Sequence, residues 1–384
     1  MTESTQAQNS SHTGLEGLDV RFAFDGAVGR VLEEFLRSDA DNWKLSWKFR
    51  KYYQLRKWIP LRLRQWLQQV RNTQLPVDDQ WYYQHDFLVR LRQSLIEESQ
   101  QQAANAPAET AASTARQVIH PWPDGFRQAA VLTHDIETQQ GLVNVDRLAR
   151  LEESYGLRSA WYFVPASYTI DLGLLDDLQS RGHEVGVHGY NHDGQLFMSS
   201  KIFQHRAAKI NDIARAWQAR GFRSPMMHRH LGWMQSLEFD HDASCFDIDP
   251  FQAMPGGVAG VWPFIVGNLV ELPCTLPQDH TLFVTLQQQT TEVWKRKLEL
   301  IGRLHGMAVC LVHPDYLDSP LRWELYQELL EQFASADDAW KSLPSAVARW
   351  WRQRDQSSIV DSAIVGPAAQ RGRTIELQQL FADL

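Results

Sequence analysis

The sequence of 384 residues predicts an α/β protein built as a distorted (β/α) barrel of about seven parallel strands. Beyond residue 116, short apolar runs typical of strands alternate with segments whose apolar residues recur at helical spacing. Glycines stand where many of these segments end, as expected of helix stops and turns. Because helical crossovers join parallel strands, this number of strands favours a closed or nearly closed barrel.

The barrel is expected to span residues 117–340. Its strands are predicted at 128–134, 157–164, 183–188, 221–226, 239–245, 269–275 and 307–313. Its helices are predicted at 142–155, 171–181, 200–219, 290–304 and 320–334. No Gly-x-Gly-x-x-Gly motif follows the first strand, which argues against an open dinucleotide-binding fold.

Four regions are predicted outside the barrel. Residues 1–15 are polar and are expected to be disordered, and residues 16–98 form a basic, aromatic-rich helical region. Residues 99–116 are rich in Gln and Ala and hold too few large apolar side chains to pack, which is typical of a linker. Residues 341–384 are predicted to form a C-terminal helical tail.

The composition excludes some classes of protein. The net charge of -8 argues against nucleic acid as the main partner. Cys245, Cys274 and Cys310 lie in apolar runs without CxxC spacing, which predicts buried reduced thiols rather than a disulfide framework. The polar segment 1–8 lacks a hydrophobic signal region, and no apolar stretch is long enough to span a bilayer. We therefore expect a cytoplasmic protein.

Two short motifs point to a metal site. His188 and His192 follow one predicted strand, and Asp135 and Glu137 follow another. Two neutral imidazoles and one carboxylate are the three protein ligands of a catalytic zinc site, which keeps a fourth position open. The remaining carboxylate is then available as a general base. Both motifs follow strands, and the carboxyl ends of barrel strands are where active sites form.

Further polar residues follow other predicted strands. Arg223 is supplied by the fourth strand, Asp247 and Asp249 follow the fifth, and His313 ends the seventh. Each of these residues alone is most simply a surface or capping residue. Their common position at strand ends predicts that they converge on one site.

Taken in order, the motifs resemble those of the NodB-type polysaccharide deacetylases over about residues 120–335. The segments that carry the resemblance are Thr133-His134-Asp135-Ile136-Glu137, His188 with His192, Arg223-Ser224-Pro225, Asp249-Pro250-Phe251 (with Asp247 as an alternative) and Leu311-Val312-His313. The chain departs from the family in placing Glu137 where a second aspartate is usual. The segments 226–233 and 279–280 also differ and are expected to reshape the pocket.

The resemblance implies a metal-dependent hydrolase that removes an N- or O-acetyl group from a saccharide, in cell-surface or exopolysaccharide biosynthesis. The expected cofactor is Zn²⁺ or another divalent transition metal, held by Glu137, His188 and His192. Asp135 is then the base that takes a proton from water. The family's Asp-x-Asp variant favours this assignment, and the exchange of roles between Asp135 and Glu137 stays open.

The other catalytic roles follow from charge and reach. Arg223 is expected to pair with Asp135 and keep it ionised. His313 is expected to donate a proton to the departing amine or hydroxyl, with Asp247 or Asp249 fixing its tautomer. His134 and His183 are expected to be structural, since His134 faces away from Asp135 by strand alternation.

Three other functions remain open on the same residues. The barrel could hydrolyse a different carbon–nitrogen bond, as in a deformylase or a cyclic-amide hydrolase. The protein could also bind saccharides without catalysis, although every candidate position holds a competent side chain. A glycosidase ranks last, because carboxylates one residue apart on one strand are too close for the separation of about 5 Å or more that glycosidases need.

The basic segment, residues 43–71, lies outside the resemblance. It holds nine Lys and Arg residues and no acidic residue, interleaved with aromatic residues. Leu63, Trp66, Leu67 and Val70 fall on one helical face. Such a segment favours the surface of an anionic membrane, and hence a lipid-linked saccharide as substrate. The alternative is that its aromatic residues pack on the barrel while its cations pair with acidic groups there.

Overall fold

The computed structural model describes residues 14–72, 85–105 and 116–384. The disorder predicted for residues 1–13 and the central part of the predicted linker, residues 106–115, lie outside the described residues. Leu15, at the end of the segment predicted to be disordered, is buried. The cysteine prediction is confirmed, because all three cysteines are buried and unpaired. No helix among the described residues is long and apolar enough to cross a membrane.

The described strands, numbered in chain order, are short apart from β3 and β10. They are β1 (Val20–Arg21), β2 (Gln117–Ile119), β3 (Gln128–Ile136), β4 (Ser159–Phe163), β5 (Glu184–His188), β6 (Gly221–Arg223), β7 (His241–Asp242), β8 (Phe264–Val266), β9 (Leu269–Glu271), β10 (Met307–Val312), β11 (Ala339–Lys341), β12 (Ser358–Val360), β13 (Ala363–Val365) and β14 (Thr374–Glu376).

The described helices surround this sheet and also form the N-terminal region. They are α1 (Gly26–Asp41), α2 (Trp47–Leu55), α3 (Leu61–Asn72), α4 (His85–Asn105), α5 (Gln139–Ser154), α6 (Leu172–Ser180), α7 (Ser200–Trp217), α8 (Leu231–Met234), α9 (Glu292–Arg303), α10 (Pro320–Ser335), α11 (Pro344–Asp355) and α12 (Leu377–Leu380). Single helical turns occur at Arg56–Trp58, Pro123–Gly125, Pro225–Met227, His280–Thr285 and Pro314–Tyr316.

The central sheet has the order β1-β8-β9-β7-β6-β5-β4-β3-β10, with β11 also beside β3. The pairs from β3 to β7, and those of β10 with β3 and β7 with β9, are parallel, as predicted. Strands β1 and β8 were not predicted, and they extend one edge in antiparallel pairs. Their shortness explains why periodicity does not reveal them.

The barrel closes through irregular backbone that follows β9. Leu272 donates a backbone hydrogen bond to the carbonyl of Asp242 on one side (2.8 Å). On the other side Leu276 donates to the carbonyl of Val309 in β10 (3.1 Å). The hydroxyl of Thr275 also accepts a hydrogen bond from the Val309 amide (2.8 Å). Residues 269–276 therefore link β7 to β10 and complete a distorted barrel, which confirms the predicted fold class.

The linker and the C-terminal tail differ from the prediction. Helix α4 continues to Asn105, so residues 99–105 are helical rather than part of a linker. The C-terminal region holds α11 but also the hairpin β12–β13 and β14, which pairs with β2. Trp350 and Trp351 of α11 lie in the core, and Trp350 donates its indole N–H to the carbonyl of Pro121 (2.7 Å). The predicted helical tail is therefore wrong in part, because strands of three residues carry no readable alternation.

The N-terminal region packs on the barrel and shares its core. Strand β1 pairs with β8, and α1 packs against α4. A buried ion pair joins Asp39 of α1 to Arg229, in which the guanidinium Nε donates to a carboxylate oxygen at 2.8 Å. Breaking such a buried pair leaves an uncompensated charge, so it fixes α1 in place.

His134 and His183 lie behind the sheet, as expected of structural residues. The rings of His134 and His183 are both buried. The ring of His134 donates to the carbonyl of Val312 (2.9 Å) and contacts the carboxylate of Glu152 (2.6 Å). His183 accepts a hydrogen bond from the indole N–H of Trp161 (3.2 Å). These side chains satisfy buried polar groups behind the barrel wall.

Candidate metal centre

The end of β3 carries a buried carboxylate that is held by an arginine. Asp135 is 1% exposed, and Nη1 of Arg223 donates to its Oδ1 at 3.0 Å. The same nitrogen donates to the hydroxyl of Thr133 (3.0 Å). Burial alone raises the pKa of Asp135, but His188 and Arg223 outweigh it, so that the pKa lies below its usual value. Asp135 is therefore an ionised, oriented proton acceptor.

The end of β5 carries the first histidine of the His-x-x-x-His motif. Nδ1 of His188 donates to the carbonyl of Arg223 at 3.1 Å, which leaves Nε2 deprotonated and directed away. That Nε2 atom is buried and has no hydrogen-bond partner among the described residues. Burial lowers the pKa of His188 to about 4, so the imidazole is in the neutral form that binds metals.

The loop between the two histidines is tightly packed. Gly189 has a φ of 64°, and a Cβ there would lie 2.4 Å from the ring of Pro225. Only glycine fits this left-handed conformation and this close approach. Farther along, Arg206 binds the carboxylate of Asp193 through two hydrogen bonds of 2.8 and 2.7 Å. These contacts fix the loop that carries His192.

Glu137, His188 and His192 form a cluster suited to a metal ion. Each offers one ligand atom, and the three atoms lie within 4.8 Å of one another. Nε2 of His192 is 3.0 Å from Oε1 of Glu137. A buried imidazole nitrogen without a partner, next to a second imidazole and a carboxylate, fits a divalent transition metal such as zinc.

His313 lies on the far side of Glu137 and is held by Asp279. Nδ1 of His313 donates to Asp279 at 2.7 Å, and its backbone amide donates to the same carboxylate at 2.8 Å. Nε2 of His313 is 3.8 Å from Glu137. Burial lowers the pKa of His313, but the Asp279 and Glu137 carboxylates outweigh burial and raise the pKa to about 10. His313 is therefore a protonated donor at neutral pH.

The prediction that Asp247 or Asp249 fixes the tautomer of His313 is wrong. Asp249 instead accepts hydrogen bonds from the Phe251 amide (2.9 Å) and the Gln252 side chain (2.9 Å). Asp247 forms a buried ion pair with Lys297. Asp279 is the residue that orients His313 in the structure. From the sequence Asp279 was expected only to shape the pocket, because no predicted strand or motif marks it.

Two residues near the centre were not assigned a role there from the sequence. The phenol of Tyr316 donates to Oε2 of Glu137 at 3.2 Å. The carboxylate of Asp315 accepts a hydrogen bond from the Glu137 amide at 3.1 Å, so it holds the backbone of the first motif. Both lie within three residues after His313 in sequence, and this position after a strand end was the signal that could have found them.

The candidate centre opens into a cleft between the barrel and the basic segment. A cavity of about 680 Å³ is lined by Glu137 and His192 of the centre and by Tyr53, Arg56 and Arg64 of the basic segment. A second cavity of about 450 Å³ shares these residues and also reaches His313. Nη1 of Arg56 donates to the carbonyl of His192 at 3.0 Å. The basic segment therefore forms one wall of the site.

The basic segment packs on the barrel with one face only. Trp43 contacts the rings of His230 (4.5 Å between centroids) and Trp233 (5.0 Å). Trp47 and Trp66, in contrast, are 69% and 56% exposed. The segment's cations with described side chains have no ion-pair partner among the described residues. They are Lys44, Lys48, Arg50, Lys51, Arg56, Arg64 and Arg71. The expectation that its aromatic residues pack on the barrel is thus met in part, whereas its described cations do not pair with acidic groups.

An α/β barrel with a metal-binding cluster at the carboxyl ends of its strands is an arrangement on which metal-dependent enzymes, hydrolases among them, are built. No protein-family model matches the chain. The peptidoglycan deacetylase of Helicobacter pylori is 22% identical in an alignment 232 residues long, which covers 50% of this chain and 78% of that protein.

A solved structure shows the same fold. A protein described as a polysaccharide deacetylase from Mycobacterium smegmatis has a TM-score of 0.50 and 19% identity, and covers 61% of this chain and 93% of that one. The PuuE allantoinase has a TM-score of 0.48 and 16% identity, with coverage of 61% and 93%. The chain is therefore similar in sequence to a peptidoglycan deacetylase and in fold to a polysaccharide deacetylase, in agreement with the resemblance of its motifs to the NodB-type family.

Proposed function

We propose that this protein is a metal-dependent hydrolase that removes an N- or O-acetyl group from a saccharide, in the biosynthesis of a cell-surface or exported polysaccharide. The observation that carries the proposal is the cluster of Glu137, His188 and His192, whose ligand atoms lie within 4.8 Å of one another. An ionised Asp135 and a protonated His313 flank this cluster. The peptidoglycan deacetylase named above supports a saccharide as the substrate.

Glu137, His188 and His192 would hold the cation, for which we propose Zn²⁺. Such an ion supplies Lewis acidity, which polarises the acyl carbonyl and acidifies water. Asp135 accepts the proton of the attacking water, and Arg223 keeps Asp135 ionised through their 3.0 Å hydrogen bond. His313 donates a proton to the departing amine or hydroxyl, and Asp279 orients its ring.

The contacts support Glu137 rather than Asp135 as the ligand. Oδ1 of Asp135 accepts from Arg223, and its Oδ2 lies 3.6 Å from Nδ1 of His188, the nitrogen opposite the unpartnered Nε2. The carboxylate of Glu137 instead lies beside Nε2 of His192. Asp135 is therefore next to the cluster, and Glu137 is part of it.

The direct test is acyl release by the zinc-loaded protein. Acetate and formate would be measured separately on N-acetylated and N-formylated saccharides, with the Asp135→Asn variant as the inactive control. Acetate release that the variant lacks supports the deacetylase. Release of formate alone would favour the deformylase, and ring opening of a cyclic amide would favour the other alternative. Metal and saccharide binding without hydrolysis of any of these compounds would favour the non-catalytic alternative.

We also propose that the exposed face of the basic segment contacts an anionic membrane from the cytoplasmic side, which would bring a lipid-linked saccharide to the cleft. Leu63, Trp66 and Leu67 are 45%, 56% and 45% exposed on α3, and Leu67 also lines the cavity that reaches His313. Lys48 and Arg50 lie nearby on α2 without ion-pair partners in the described chain. Apolar side chains beside cations suit the headgroup boundary of such a membrane.

Sedimentation with vesicles tests the membrane proposal. Binding to vesicles that contain an anionic lipid should weaken as salt concentration rises, because salt screens the cations. The absence of binding at low salt would contradict the proposal.

A further inference from the structure

We propose that the substrate carries an oxyanion, a phosphate or a carboxylate, which Arg64 and Arg56 bind beside the candidate centre. This inference rests on the proposed function and narrows the saccharide to an acidic one. It depends on the charges that line the cleft and on the contacts that each cation makes.

The cleft wall carries an excess of positive charge. Arg56 and Arg64 line both cavities together with Glu137 and His192. Lys48 and Arg71 line the cavity that reaches His313. These cations face the reacting end of the barrel, where a bound metal ion would add further positive charge.

The carboxylates that line the cavities do not neutralise these cations. Asp193 is already paired with Arg206 through two hydrogen bonds of 2.8 and 2.7 Å. Glu137 lies 3.0 Å from Nε2 of His192, within the candidate centre. The field in the cleft therefore favours an anionic ligand.

The arginines of the wall differ in what they already bind. Both terminal nitrogens of Arg71 donate to backbone carbonyls, those of Phe251 (2.9 Å) and Gln252 (3.0 Å), so Arg71 attaches α3 to the barrel. Arg56 uses Nη1 on the carbonyl of His192 (3.0 Å). The Nε atom of Arg64 is buried and has no hydrogen-bond partner in the described chain.

A buried guanidinium N–H without a partner is unfavourable unless a ligand satisfies it. Guanidinium groups present a planar fork of donors that matches phosphate and carboxylate oxygens. A neutral acetylated sugar offers no group of this kind. Arg64, together with the remaining donors of Arg56, therefore binds an acidic group on the saccharide whose acyl group reaches Glu137.

Calorimetric binding to the zinc-loaded Asp135→Asn protein tests this inference without turnover. The probes are N-acetylglucosamine 1-phosphate, N-acetylmuramic acid, neutral N-acetylglucosamine and inorganic phosphate. We expect at least one acidic sugar to bind about tenfold or more tightly than the neutral one. Tighter binding of the sugar phosphate or of N-acetylmuramic acid identifies the oxyanion as a phosphate or a carboxylate. Binding of inorganic phosphate in addition to an acidic sugar shows that the arginines bind the oxyanion even when no sugar is attached to it.

Arg64→Gln should abolish the preference for the acidic sugar, and Arg64→Lys should retain part of it. Arg50→Gln is the matched control, because Arg50 is an exposed cation of α2 that lines neither cavity. Equal binding of acidic and neutral sugars, or equal effects of Arg64→Gln and Arg50→Gln, would overturn the inference. Acetate release without acidic preference would leave only the proposed function standing. If the protein prefers the acidic sugar through Arg64 but releases no acyl group, the oxyanion site is supported and the proposed hydrolase activity is not.

Discussion

The candidate centre and the basic segment face each other across one cleft but are built in opposite ways. In the centre, Asp135, His188 and His313 are buried, and each is held by a second group, respectively an arginine, a backbone carbonyl and an aspartate. The described cations of the basic segment lack ion-pair partners in the described chain, and several of its large apolar side chains are exposed. Catalysis needs side chains in fixed positions, and the candidate centre provides them. Substrate selection can be carried out by a more exposed surface such as the basic segment.

The largest effect is expected from removing a ligand of the centre. His188→Ala should abolish tight metal binding and acyl release together, because it removes the nitrogen whose partner we infer to be the metal. Metal content after gel filtration and acetate release would be measured on the same samples. His205→Ala is the matched control, because His205 is an exposed histidine of α7. Retention of one metal ion per chain by the His188→Ala variant would contradict the site.

A large but different effect is expected from the two carboxylates. Asp135→Asn should lower kcat by about 10²- to 10⁴-fold and leave the metal bound, since an amide cannot accept the proton of water. Glu137→Gln should weaken metal binding, because a neutral amide is a poorer ligand. Both variants would be tested by metal titration and steady-state kinetics. The opposite pattern would show that the two roles are exchanged.

A moderate effect is expected from the residue that orients His313. His313 must be protonated to donate, so activity should fall as pH rises through its pKa, which the neighbouring carboxylates raise to about 10. Asp279→Asn removes the stronger of these charges, so the pKa should fall and the alkaline limb should move to lower pH. Activity at neutral pH should fall about 10- to 100-fold, the loss that is typical when the hydrogen-bond partner of a histidine in a metal site is removed.

The control for this pH profile is Asp249→Asn. Asp249 hydrogen-bonds to Phe251 and Gln252 rather than to His313. Its substitution should leave the alkaline limb in place. If Asp279→Asn and Asp249→Asn moved the alkaline limb of the pH profile by the same amount, Asp279 would not be the residue that sets the pKa of His313.

The smallest effect on the folded barrel is expected in the basic segment. Trp66→Ser should change the free energy of unfolding by only about 0.5 kcal/mol or less, because the side chain is largely exposed. It should leave hydrolysis of a soluble saccharide unchanged and weaken vesicle binding. Leu172→Ser, at an exposed apolar side chain of α6 that is 58% exposed, is the control. Equal vesicle binding by both variants would remove α3 from the membrane contact.

The sequence predicts the barrel and the candidate centre because both depend on local patterns. Strands β3 and β5 are apolar runs that end in the two motifs, and parallel pairing then brings Glu137 and His188 to one end of the barrel. The approach of these residues follows from topology alone.

Other features depend on contacts that no local pattern encodes. Asp279 reaches His313 from a segment without regular secondary structure before it, so its role required the three-dimensional fold. The strands β12 to β14 have three residues each and show no readable alternation. The composition of the basic segment marked it as unusual, but its place along the cleft depends on long-range contacts such as Arg56 with His192.

The most direct test of the account is a crystal structure of the zinc-loaded protein with anomalous data collected at the zinc edge. We expect one strong peak bounded by a carboxylate oxygen of Glu137 and by Nε2 of His188 and His192, at about 2.0–2.2 Å from each. Asp135 should remain outside the ligand set, with its hydrogen bond to Arg223 intact. A peak ligated by Asp135 in place of Glu137, or no peak at this cluster, would contradict the account.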